Sequence, residues 1–223
     1  MKLDRAFAAS AAMTALMAVA SVWALTRLPD APLPIQWGLD GRPDAFAPPA
    51  LALLLPPAVA LVLTLVFAWL PRIMPPQGDL SRSRLPWAIA STGTVAMLLV
   101  LHVLLIAYAL GAPVNVSAAG MAATGALVAV IGNYLPKTRY NYLLGIRTPW
   151  TLADERVWDR THRFTGGWLM GAGVLALVLS ILAPNSPVLL GVGIGAIVAA
   201  LLAGVVYSVV ISPRGGRAQG PTD

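Results

Sequence analysis

Three residues in one stretch have the types and spacing for chemistry. Glu155, Asp159 and His162 stand at i, i+4 and i+7, so a helix would carry two carboxylates and an imidazole on one face. Such a face can hold a metal or exchange protons. Arg156 and Arg163 offer the other use, ion pairing with Asp159 at helical spacing. Arg147 lies between Gly145-Ile146 and Thr148-Pro149-Trp150. A guanidinium between a bend and a Trp-bearing turn can take a lipid phosphate or a carboxylate through two parallel bonds, or serve as topological charge alone. No P-loop, HExxH helix or Ser–His–Asp order occurs. With no cysteine, thiolate catalysis, disulfides and Cys-based metal sites are excluded. An enzyme is not the first reading, and no cofactor or bound metal is expected.

Two further groups stand elsewhere. Asp30, Asp40 and Asp44 lie in a proline-rich segment, where carboxylates can gather a cation or shape turns. Their spacing is not that of an EF-hand. His102 is the one ionisable side chain inside a long apolar run. An ionisable group at that depth is a candidate site, although no acidic partner accompanies it. It serves either a solute path or a hydrogen bond to a neighbouring helix.

These groups need a scaffold, and the composition says which. Of 223 residues, 58% are hydrophobic and 11% charged, far fewer charges than a soluble domain carries. Six windows near 6–26, 50–70, 87–110, 116–134, 166–183 and 188–211 are apolar enough to cross a bilayer and hold no Asp, Glu, Lys or Arg. The fold class is therefore all-α, a polytopic bundle of six transmembrane helices. The first window exceeds the usual signal-peptide core and ends near Trp23, so it reads as an uncleaved span. Divisions follow: 1–71, a hairpin of two spans; 72–134, a second pair; 135–165, a polar loop with a helix near 152–163; 166–211, a final hairpin; 212–223, a flexible tail. Thr151 followed by Asp154 is read as the start of that loop helix. Leu152, Val157 and Trp158 would lay it on the headgroup boundary, as Trp37 and Phe46 would anchor the 27–49 loop.

Thirteen Lys and Arg fall on the side of both termini and two on the other. Positive residues stay inside, so both termini are expected in the cytoplasm, in a bacterial cytoplasmic membrane. The net charge of +6 is then mostly a topology signal, and direct nucleic-acid binding is not expected. Gly167 and Gly171, Gly191 and Gly195, and Ala199 and Ala203 are each four apart, as are Gly120 and Thr124. Small residues at that spacing let helices approach within the bundle or across a homodimer.

The loop residues Gly132 to Lys137, Asn141, Gly145 to Leu152, Val157-Trp158, Thr161-His162 and Gly166-Gly167 resemble the signature of the SdpI family, across about 132–173. Leu28-Pro29-Asp30, Pro34, Gly41, Pro43 and Asp44 resemble a small domain of unknown function that often precedes it. Gln36 departs from that motif, which often has histidine there. The resemblance implies a bacterial membrane protein giving immunity to a secreted, membrane-active peptide toxin. It also implies a signalling role, in which a cytosolic transcriptional regulator docks on the inner loop. Arg147, Trp150, Trp158 and His162 are the leading contact residues, with Asn133 and Asn141 fixing the loop through backbone hydrogen bonds. The alternative from another class is a small-solute transporter or channel using His102.

Overall fold

The computed structural model describes residues 3–73, 80 and 82–212. Helix α1 (Leu3–Leu25) leads into strands β1 (Leu33–Trp37) and β2 (Pro43–Ala47), then α2 (Pro49–Ile73), α3 (Arg84–Ala109) and α4 (Val116–Tyr134). A 3-10 turn (Leu135–Lys137) follows, then α5 (Pro149–Ala153), α6 (Glu155–Leu182) and α7 (Pro187–Val210). Six of these helices are long and apolar enough to span a membrane. The chain is an all-α polytopic bundle. Its outward side chains, such as Leu182, Val188 and Val210, are those of a surface solvated by lipid.

Helices α1, α2 and α3 pack on one another, as do α4, α6 and α7, and α3 joins the two groups by packing on α4. The α4–α6 contact is made by glycines. A Cβ on Gly125 would sit 2.6 Å from the Leu177 nitrogen, and one on Gly166 would sit 2.6 Å from the Pro136 ring. Gly132 and Gly173 face backbone just as closely. The spaced pairs singled out from sequence are elsewhere. Gly167, Gly171 and Gly195 have nothing within 4 Å of a Cβ, so they face outward rather than into a helix seam.

Interior prolines also shape the bundle. Pro57 has no N–H, which leaves the Leu53 carbonyl without its helical donor. The Ser21 hydroxyl on α1 donates to that carbonyl at 2.6 Å. His102 Nε2 lies 3.0 Å from the Ser21 oxygen. That contact ties His102 to a neighbouring helix.

The 27–49 segment, expected as a proline-rich loop, forms a β-hairpin. Leu33 pairs with Ala47 and Trp37 with Pro43, and two register shifts accommodate the prolines. Leu33 and Ala47 pack into a buried cluster with Ala24, Leu53 and Leu105. Trp37 turns inward and packs edge-on against Tyr108, while Phe46 stays exposed. The Asn115 side chain caps α4 through Ala118 N–H and donates to the Pro184 carbonyl, tying the two short turns together.

The helix expected at 152–163 is not a separate interfacial element. Asp154 caps α6 by accepting from Arg156 N–H, and α6 runs unbroken to Leu182, across the division placed at 165/166. Val157 and Trp158 are buried inside the protein, not laid on lipid. Most of the expected tail, 213–223, lies outside the described residues.

Candidate functional site

The polar loop between α4 and α6 is held by a compact set of hydrogen bonds at the end of the bundle where α1 begins. Pro136 ends α4, and Gly166 of α6 lies against it. From there α6 presents Trp158 and His162, one turn apart and both fully buried. Their rings stack at 4.1 Å. Trp158 Nε1 donates to the Thr138 carbonyl at 3.1 Å, and Tyr140 packs on the indole edge.

His162 works as a two-ended clamp. Its Nδ1 donates to the Trp158 carbonyl at 2.8 Å, since a carbonyl only accepts. Its Nε2 accepts from Ile146 N–H at 3.0 Å. That pair of bonds requires the neutral ring protonated on Nδ1. The loop reaches it because Gly145 has φ of +128°, a conformation that L side chains rarely adopt, and because a Cβ there would collide with His162 Nε2.

Asn141 organises the other half of the loop. Its amide oxygen accepts from Leu143 N–H at 2.8 Å and Leu144 N–H at 2.7 Å, and its nitrogen donates to the Arg139 carbonyl at 2.7 Å. Asn133, paired with it in the sequence reading, is exposed near the end of α4 and is not part of this set. Four hydroxyl groups complete the arrangement, of which sequence reasoning had singled out only Thr151, in another role. Thr148 and Thr151 form a capping box that starts α5, with Pro149 at the first helical position. Thr148 also meets Ser208 of α7 at 3.0 Å, and Ser83 beside α3 accepts from Arg139 N–H at 2.8 Å. The signal for the box was Thr-Pro-x-Thr, three residues ahead of the Thr151–Asp154 start inferred from sequence.

The proposed acid–base face does not assemble. His162 has both nitrogens occupied within the loop, and Asp159 pairs with Arg139 at 3.8 Å, not with Arg156 or Arg163. That pair is largely exposed and contributes at most about 1 kcal/mol. Among the described residues no group of three or more His, Asp or Glu is placed to hold a metal. The hydrogen-bonded set within the loop supports a rim of Tyr142, Arg147 and Trp150, all exposed, with Arg147 donating to the Tyr142 carbonyl at 2.6 Å.

A family model described as the SdpI/YfhL protein family matches residues 137–212, the loop together with α6 and α7. A curated relative, the immunity protein SdpI of Bacillus subtilis (strain 168), is 31% identical over 148 residues. That alignment covers 66% of this chain and 69% of the relative. The chain belongs to the SdpI family. A second model, a domain of unknown function (DUF1648), matches residues 12–61, which hold most of α1, the β-hairpin and the start of α2. No solved structure matches the chain.

The SdpI-family match thus contains His162, Trp158, Asn141 and Arg147, while the hairpin residues fall in the other match. At the hairpin, Asp40 accepts from Arg42 N–H at 3.1 Å and shapes the Gly41 turn. The Asp40 and Asp44 carboxylates both crowd the site of a Cβ at Gly38. Asp30 is exposed ahead of the hairpin, outside that turn.

Asn141→Ala leaves the Leu143 and Leu144 N–H groups without partners, at roughly 1–3 kcal/mol for each buried group left unpaired. Trypsin added to the loop side of membranes is expected to cut after Arg139 and Arg147 much faster in this variant than in the wild type. Unchanged cutting would mean that Asn141 does not hold the loop.

Proposed function

We propose that this protein protects the bacterial cell that makes it from a membrane-active peptide, and that the loop between α4 and α6 is its working element. The observation that carries this reading is the likeness to a protein named for immunity, with a family match that begins in the ordered loop and runs through α6 and α7. Protection acts by binding the peptide, or a complex that it forms, so that pores do not open. Arg147 and Trp150 supply contact, while Trp158, His162 and Asn141 hold the rim in place. A basic, aromatic rim also suits docking of a cytosolic regulator, which would couple toxin exposure to gene expression.

In the same reading the loop faces the cytoplasm of a bacterial inner membrane and the β-hairpin faces out. The excess of Lys and Arg at the loop end supports this orientation. The chain has no cysteine, so single cysteines report it cleanly. A membrane-impermeant maleimide added to intact cells should label Phe46→Cys and spare Arg156→Cys. The opposite pattern would invert the topology.

A strain lacking the gene should depolarise in its parent's spent medium, while the parent and a complemented strain hold their membrane potential. Complementation with Arg147→Ala, at matched abundance, should protect several-fold less well. Equal potentials in all three strains would remove self-immunity under that condition. Full protection by Arg147→Ala would remove the role given to that residue.

A further inference from the structure

The two helix groups part around α3 and leave a groove of about 690 Å³. Its floor is α3, at Leu98, Leu101 and Leu105. Leu55 and Val59 of α2 form one wall, and Gly120, Thr124 and Ile194 form the other. The β-hairpin closes one end with Ile35, Trp37 and Leu39. Leu55, Val59 and Ile194 are well exposed, so the groove opens sideways on the surface that faces lipid.

The lining is mostly aliphatic, with His102 and Thr124 along it and Gln36, Trp37 and Ser117 toward the hairpin end. There Trp37 Nε1 is buried without a hydrogen-bond partner, and the Gln36 amide also lines the groove. Trp37 packs against Tyr108 at the end of α3, six residues beyond His102 and so about 9 Å along the helix. Size selects between occupants. A helix with its side chains is about 10–12 Å across, so this volume would take roughly 7 Å of one, about five residues. An extended hydrocarbon chain is narrow enough to lie along it.

We propose that the groove binds one acyl chain of a bilayer phospholipid. This is a site distinct from the loop and independent of the immunity reading. A Cβ at Gly120 meets only Leu101 Cδ2, at 3.4 Å, so Gly120→Leu projects into the groove without crowding a backbone.

The test is reconstitution in phosphatidylcholine carrying a photoreactive diazirine on one acyl chain, followed by mapping of labelled peptides. Labelling is expected to concentrate on Leu55, Leu101 and Thr124, several-fold above Leu182 and Val206 on the open lipid face. Gly120→Leu should abolish that excess while leaving Leu182 and Val206 unchanged, and Thr124→Leu provides a second filled groove. Even labelling over all lipid-facing helices would overturn the proposal. So would an excess that persists in both variants.

Discussion

The close approach of α4 and α6 through glycine is the constraint on which the loop depends. Gly125 and Gly132 on one helix meet Gly173 and Gly166 on the other, each pair seven residues apart and thus on one face. Lipid tails are as apolar as leucine, so burial alone does not hold two spans together. Backbone contact and dispersion do, and only glycine leaves the space for them. Gly166 is also one turn from His162 and rests against Pro136, where the loop leaves α4. The seam therefore sets the height at which the departing chain passes over Trp158 and His162.

Several buried polar groups are then paired within the protein, because the bilayer interior offers no water to satisfy them. Pro57 frees the Leu53 carbonyl, Ser21 supplies its donor, and His102 completes the Ser21 hydroxyl. At the loop end His162, Asn141, Thr148 and Thr151 do the same for backbone that belongs to no helix. Both histidines of the chain act as hydrogen-bonding links between segments, one between spans and one between a helix and its loop.

The six spans were legible because the bilayer imposes length and polarity on them directly. The family likeness was legible in the loop residues. Partners were harder to read. Spacing of four placed Gly167 with Gly171 on one face correctly, but spacing says nothing of which face meets a neighbour. The seam used Gly166 and Gly173 instead. Trp158 and Val157 were read as lipid-facing because an amphipathic stretch beside a membrane has two apolar environments open to it, and here the protein interior won. The β-hairpin escaped notice because Pro34 and Pro43 break the alternation that marks a strand. The turn between the strands falls at Asp40-Gly41, where the Asp40 carboxylate accepts from Arg42 N–H.

The most direct test sets two neighbouring glycines against each other. Gly166→Ala places a methyl 2.6 Å from the Pro136 ring, whereas Gly167→Ala places one in open space. In a strain lacking the gene, complemented with each variant at equal membrane abundance, loop cleavage by trypsin and retention of membrane potential in spent medium would be read together. The account predicts faster cleavage and weaker protection for Gly166→Ala, with Gly167→Ala like the wild type in both. A Gly166→Ala protein whose loop is cut freely but which protects in full would contradict it.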